Sequence, residues 1–257
     1  KREWFKCCPR SSASGGFIVN ILVTGGASGL GGVITRKLAS VPGNKVFFTF
    51  HQSADKAAAM EKELSQVKGI RCDFSKPEDV EKLCSMILDF DLDVLINNAI
   101  AGMTKTHFHK TTTDTFLNSF TVNVFPTLQI TQKAILSFRK KKFGKIITIL
   151  SSYIANLPPT GLSEYVANKS YLQSMSKSWA GENAKYNITS NCVSPSMMRT
   201  QLTQDLDERV VEEIIKAQPL RRLVTPEEVT DMVLYLVGAT QQINGVNLLI
   251  NGGNDVI

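Results

Sequence analysis

The sequence predicts an α/β fold: a doubly wound parallel sheet in a single domain. Three observations carry that expectation. Short apolar runs alternate with helix-patterned segments from Phe17 almost to the C-terminus. A glycine-rich turn, Thr24-Gly25-Gly26-Ala27-Ser28-Gly29-Leu30-Gly31, lies between the first apolar run and the first helix. The candidate polar residues then cluster just after strand segments, at the edge where open α/β sheets bind their ligands.

Composition sets the outer bounds. The 257 residues suffice for one large core, and 43% hydrophobic with 20% charged content is ordinary for a globular chain. No apolar run approaches the ~18 residues of a membrane span. The five cysteines (Cys7, Cys8, Cys72, Cys84, Cys192) are odd in number and lack paired metal spacing, so the expectation is no metal and a reducing, cytoplasmic setting. The net charge of +6 is scattered and no nucleic-acid motif accompanies it. Its one dense run, Arg139-Lys140-Lys141-Lys142 with Lys145 nearby, reads first as a helix end complementing the helix dipole. The second reading is a docking patch for an acidic partner such as an acyl carrier protein.

Residues 1–16 are set apart as a linker-like appendage by Ser11-Ser12-Ala13-Ser14-Gly15-Gly16, and the folded domain is expected over 17–257. Phe17 to Val23 reads as the first strand, and a helix follows the glycine turn to about Ala39. There the glycines admit a pyrophosphate and the helix start supplies free N–H groups. Val46 to Phe50 reads as the second strand. Its end, Phe50-His51-Gln52-Ser53, carries no acid to select the free ribose hydroxyl of NAD, and three hydrogen-bond donors stand there instead. NADP is therefore expected, with NAD second.

The later elements follow by the same signals. Ala54 to Ser65 reads as helix, Gly69 to Cys72 as strand, and Ser75-Lys76-Pro77-Glu78 as a capping box opening a helix to Leu88. Asp93 to Ile96 is a strand, and Asp114 to Phe138 is helical with a break near Pro126. Lys145 to Leu150 is a strand ending at Ser151-Ser152. Ser163 to Lys185 is a long helix that puts Tyr165 and Lys169 one turn apart on one face. An ammonium there would draw down the phenol pKa, and a nearby serine would hold the substrate oxygen. Ile188 to Val193 is a strand ending in Ser194-Pro195-Ser196. Thr225-Pro226-Glu227-Glu228 is a second capping box, its helix reaching Val237, and Val246 to Ile250 is the last strand.

From Ile18 to Asn254 these motifs together resemble the short-chain dehydrogenase/reductase family, whose domain is a Rossmann fold. Thr24-Gly25, Gly29 and Gly31 look like its cofactor turn, with Ser28 and Leu30 inside it. Asp73, with Phe74 beside it, sits where the family holds the adenine. Asn97-Asn98-Ala99 matches the motif after the fourth strand, and Asn123, Ser152, Tyr165 and Lys169 match the catalytic tetrad. Ile100 and Ser196 depart from the family's usual glycines.

The resemblance implies a mechanism. Hydride passes from nicotinamide to a carbonyl carbon, Tyr165 protonates the alkoxide, Lys169 lowers the tyrosine pKa and binds the ribose, and Ser152 steadies the oxyanion. Asn123 would fix a water beside Lys169 or bond local backbone. His51, Gln52, Ser53, Asn98, Ala99, Pro195 and Thr200 complete the implied cofactor site, with a helix N-cap as the other reading of Thr200. Thr200 to Gln218 is expected as the substrate lid.

The ending, Pro219 to Val229 with Ile243-Asn244-Gly245 and Asn251-Gly252-Gly253, is similar to 3-oxoacyl-(acyl-carrier-protein) reductases. That implies a carrier-bound acyl substrate and a homotetramer. A sugar, polyol or small ketone is the alternative substrate, and a non-catalytic dinucleotide sensor or scaffold is the alternative of another class.

Overall fold

The computed structural model describes residues 19–103, 105–200, 203 and 207–254. The expected appendage, residues 1–16, lies outside the described residues, as do the first two positions of the expected opening strand. Seven parallel strands form one sheet: β1 (Asn20–Val23), β2 (Lys45–Phe50), β3 (Val67–Arg71), β4 (Val94–Asn97), β5 (Gly144–Ile149), β6 (Ile188–Pro195) and β7 (Asn247–Ile250). Their order is β3-β2-β1-β4-β5-β6-β7. The chain winds outward one way through β3, then restarts at β4 on the other side of β1. The crevice between β1 and β4 is the switch point at which such sheets bind ligands.

Helices cover both faces. On one, α1 (Gly29–Ala39), α2 (Ala54–Glu63) and α8 (Pro226–Gly238) bury Ile34, Leu38, Met60 and Val233 against the sheet. On the other, α3 (Pro77–Ile87), α5 (Phe125–Lys141) and α6 (Ser163–Asn183) bury Leu83, Phe138 and Trp179. Central strands are buried on both sides, which is why β4 reads as an apolar run rather than an alternating one, while β5 and β6 also bury polar side chains such as Lys145, Thr189 and Asn191. The remaining helices are α4 (Thr113–Asn123), which leads into α5, and α7 (Glu208–Ala217), whose N-cap is Asp207.

Two local signals had opposite outcomes. At α8 the Thr225 hydroxyl accepts the Glu228 N–H at 3.3 Å, and the Glu228 carboxylate accepts the Thr225 N–H at 2.9 Å, a complete capping box. At α3 the capping box expected from Ser75 is absent: the N-cap is Lys76 and has no side-chain cap. Asp73 captures Ser75 instead, accepting its N–H at 2.9 Å and its hydroxyl at 2.7 Å. Only the first-turn proline of that expectation stands, since a missing N–H is harmless there.

The basic run follows the helix-end reading. The Arg139 Nε donates to Asn183 at 2.7 Å while its guanidinium lies over Tyr186. Lys141 pairs with Asp91 and Asp93, and Lys142 is the left-handed C-cap of α5. Lys145 is buried at 3% exposure and donates to the carbonyls of Leu236 and Ala239, at the end of α8. Arg139, Lys141 and Lys145 are thus engaged within the fold, while Lys140 and Lys142 are exposed.

Candidate active site

The glycine turn connects β1 to α1. Gly25 has φ +65° and Gly29 φ +53°, conformations that L side chains rarely adopt. A Cβ on Gly31 would fall 2.1 Å from the Gly25 carbonyl and 2.5 Å from Asn98 Nδ2, so only a bare backbone fits. Asn98 braces the turn from the end of β4, donating to the carbonyls of Thr24 (3.0 Å) and Gly25 (3.2 Å). The Thr24 hydroxyl accepts the N–H groups of Asn98 and Ala99, both at 3.0 Å. Ser28 is the N-cap of α1 but makes no side-chain cap, and no acid stands in the first turn, so the helix start keeps N–H donors and positive potential for an anion. Thr200 stands over this turn: a Cβ on Gly29 would meet its Cβ at 4.0 Å. Gln201, where the N-cap reading of Thr200 would begin its helix, lies outside the described residues.

At the end of β2, His51 and Gln52 are exposed and Ser53 reaches Ser28 at 3.4 Å. His51 Nε2 lies 3.2 Å from Asp73 Oδ2. Hydrogen bonds from the Ser75 hydroxyl and N–H hold the Asp73 carboxyl below its usual range, and His51 adds to this. Phe74 is half-buried against the core. Pro195 ends β6 opposite Ile250. The first-named groups converge at one edge of the sheet, around a cradle that fits a dinucleotide: glycines without room for side chains, an uncapped helix start, and hydroxyl and imidazole groups at the end of β2.

Tyr165, Lys169, Asn123 and a serine meet at the same edge, beyond β4 and β5. Lys169 is buried at 8% exposure and its Nζ donates to the Ile149 carbonyl at 2.8 Å. Burial pushes its ammonium down to about 8. Its Nζ is 5.9 Å from the centre of the Tyr165 ring. Burial pushes the Tyr165 phenol up to about 12, against the lowering expected from Lys169, because desolvation of a phenolate outweighs the other influences on it. The group that opposes this rise is the hydroxyl of Ser151, hydrogen-bonded to the phenol.

That bond corrects the expectation for Ser152. Ser151 is extended (φ −158°, ψ 145°), whereas Ser152 begins the one-turn 3-10 helix Ser152–Ile154 and is itself 1% exposed. The hydroxyl bonded to the phenol is that of Ser151, and Ser152 is the buried first residue of the turn. Counting forward from the buried run of β5, rather than back from Tyr165 across an irregular loop, would have selected Ser151.

Asn123 is the last residue of α4, immediately before the break at Val124. Its Oδ1 accepts the Ala101 N–H at 2.8 Å and its Nδ2 donates to the Ser119 carbonyl at 3.0 Å. It therefore ties the loop after β4 to α4, as the backbone-bonding reading expected. Sequence reasoning missed Ser119 and Glu164, which meet here from α4 and α6. Nothing local in the sequence marks that pair. Among the described residues no group of three or more His, Cys, Asp or Glu side chains is placed to hold a metal, and Cys72, Cys84 and Cys192 are free and buried.

Comparison with known proteins agrees with this geometry. The family model described as enoyl-(acyl carrier protein) reductase matches residues 25–255. The chain is 29% identical over 238 residues to the 3-oxoacyl-[acyl-carrier-protein] reductase MabA of Mycobacterium tuberculosis, covering 91% of this chain and 92% of that protein. It is 30% identical over 244 residues to the L-fucose dehydrogenase of Bos taurus, covering 92% and 89%. A solved short chain dehydrogenase of Burkholderia cenocepacia in complex with NADP superposes with a TM-score of 0.81 at 26% identity, covering 93% of this chain and 98% of that one. The chain belongs to the short-chain dehydrogenase/reductase family of NAD(P)-dependent oxidoreductases.

Proposed function

We propose that the chain reduces the carbonyl of a 3-oxoacyl thioester to a secondary alcohol, using NADPH. The observation that carries this reading is the Ser151–Tyr165 hydrogen bond beside buried Lys169, at the sheet edge that also holds the glycine cradle. The Ser151 hydroxyl orients the carbonyl oxygen and steadies its developing charge. Tyr165 gives that oxygen its proton, and Lys169 returns one to the phenol. Bound dihydronicotinamide supplies the hydride. Gly25, Ser28, Gly29, Leu30 and Gly31 would hold the pyrophosphate, Thr200 and Pro195 the nicotinamide side, and Asp73 and Phe74 the adenine. His51, Gln52 and Ser53, with no acid at the end of β2, favour the 2′-phosphate of NADP. The likeness to MabA supports the acyl substrate.

A second reading, oxidation or reduction of a sugar or polyol, is favoured by the likeness to L-fucose dehydrogenase. One experiment separates them: oxidation of NADPH and NADH with acetoacetyl and crotonyl thioesters, against a panel of sugars, polyols and diketones. Turnover of the acetoacetyl thioester with NADPH is expected. Activity confined to a polyol moves the protein to the second reading, and activity on the crotonyl thioester alone moves the chemistry to a carbon–carbon double bond.

The same reading includes a homotetramer working in the cytosol. Leu117, Phe125, Leu136 and Tyr171 are exposed apolar side chains on α4, α5 and α6, and edge strand β7 is only half-buried. Two-fold pairing through those helices and through β7 would cover them. Light scattering at micromolar concentration tests this, and a monomer would refute it. Among the described residues no helix is long and apolar enough to cross a membrane.

A further inference from the structure

α4, α6 and the loop after β4 line a small cavity whose lining includes Ile100, Ser119, Asn123, Glu164, Tyr165 and Lys169. Among the described residues Glu164 is the one acid in that lining, and it is 5% exposed. Its carboxylate accepts the Ser119 hydroxyl. The Ser119 oxygen in turn accepts Asn168 Nδ2 at 2.9 Å and Asn123 Nδ2 at 3.4 Å. Two amides and a hydroxyl thus fix a buried carboxyl group that has no ion-pair partner among the described residues. Burying a carboxyl group costs desolvation. Packing alone does not call for one, since an amide of the same shape would fill the space.

The neighbouring groups supply a use. Lys169 is enclosed, with its Nζ held on the Ile149 carbonyl. Each reduction takes one proton out of the Tyr165–Lys169 pair, and that proton has to return from solvent. The cavity touches both residues, and among the described residues Glu164 is the only other titratable group that lines it.

We propose that Glu164, fixed by Ser119, is a positioning residue for proton return, linking Lys169 to solvent through this cavity. The inference rests on the oxidoreductase reading of the site and is independent of the substrate chosen above. The balance closes for reduction. The alkoxide takes the Tyr165 proton, the phenolate takes one from the Lys169 ammonium, and the neutral amine takes one from a water that the Glu164 carboxylate holds in this cavity. That water takes one back from solvent. One solvent proton enters the alcohol, and every protein group ends as it began. Oxidation runs the same path outward.

The test compares wild type with Glu164→Gln and Glu164→Asp in H2O and D2O, with and without added formate. The substrate is the acetoacetyl thioester or, if that is silent, whichever compound of the panel wild type turns over. Glu164→Gln keeps the shape and the Ser119 contact while losing the negative charge that holds the water. It is expected to lower kcat about tenfold, less than the ~10²–10⁴ of a group acting directly because water partly bypasses it. Its solvent isotope effect on kcat should rise, formate should restore part of the rate, and Glu164→Asp should retain most of it. NADPH affinity by fluorescence and the thermal midpoint should stay at the wild-type values.

An unchanged kcat and isotope effect in Glu164→Gln overturn the proposal while leaving the function reading intact. So does a fall in kcat that tracks lost NADPH affinity or a lowered midpoint without formate rescue, which marks a purely structural role. Turnover of a polyol alone overturns the acyl reading and leaves this test in force. A wild type silent on every compound overturns both.

Discussion

The hydroxyl of Ser151 hydrogen-bonds the phenol of Tyr165 at the end of β5, while Ser152 begins the following helical turn. A donor aimed at a developing oxyanion is worth ~10²–10³ in kcat, so Ser151→Ala should lose at least about a hundredfold and Ser152→Ala no more than about threefold. Because the Ser151 bond lowers the Tyr165 pKa, its loss should also shift the phenol upward. Steady-state kinetics of the two variants decide the matter, and the reverse ranking would give the role back to Ser152.

Lys169 carries a buried ammonium that burial has pushed from 10.5 to about 8. The folded protein therefore binds fewer protons than the unfolded chain between about 8 and 10.5. Stability rises with pH across that window, and the destabilisation is fully present below it. Lys169→Met should abolish turnover yet stabilise the protein at pH 7 by about 1–3 kcal/mol, a gain that shrinks towards pH ~10.5. Urea unfolding at pH 7 and at high pH measures it. The wild-type rate of carbonyl reduction should fall above pH ~8, as Lys169 loses the proton it passes on.

Gly31→Ala would place a methyl 2.1 Å from the Gly25 carbonyl, a contact that no side-chain rotation relieves. We expect a loss of about 1–3 kcal/mol in stability and at least about a tenfold loss in NADPH affinity, since the cradle has to open. Gly181→Ala, whose new Cβ would meet nothing within 4 Å, is the matched control on α6 and should gain slightly in stability. Equal behaviour of the two variants would contradict the close approach at the turn.

Glu228 joins the α8 capping box to Arg222, whose Nη2 lies 2.6 Å away. The bond from Arg222 and then the Thr225 N–H hold its carboxyl down to about 2. This folded-state pKa is depressed, so the stabilisation is present above the unfolded value of 4.5 and lost as pH falls towards about 2. The Arg222 and Glu228 side chains are 51% and 40% exposed, so water screens much of the effect. Glu228→Gln should lower stability by only about 0.5–1 kcal/mol at pH 7. In thermal melts the difference from wild type should vanish near pH ~2.

What the sequence made legible was whatever depended on near neighbours along the chain. Strand and helix alternation identified the strands of the sheet, because most are short segments rich in β-branched, aromatic or other apolar residues. The break before Pro126 and the capping box at Thr225 are local as well. Tyr165 and Lys169 needed only the pitch of one helix. Ser151 was misread by one residue because the loop between β5 and α6 is irregular, so spacing measured through it does not fix which side chain faces inward. Ser75 failed as a cap because an acid two residues earlier competes for it. Ser119 and Glu164 come together only when α4 packs on α6, and Lys145 finds its carbonyls only at the end of α8. Burial of those polar groups is a property of tertiary packing, which the local pattern does not encode.

The restart of the winding at β4 also governs how the chain can assemble. β1 lies between β2 and β4, so Ile21 pairs with Val94 although both β2 and β3 are made in between. During synthesis the first three strands emerge with one side of β1 still without a partner. Its ladder closes only when β4 has left the ribosome, and the closing contact has to overcome the entropy of a long intervening loop. A chain stalled before Asp93 would therefore expose the open edge of β1, which is the apolar strand at the heart of the finished sheet, to whatever strand meets it first.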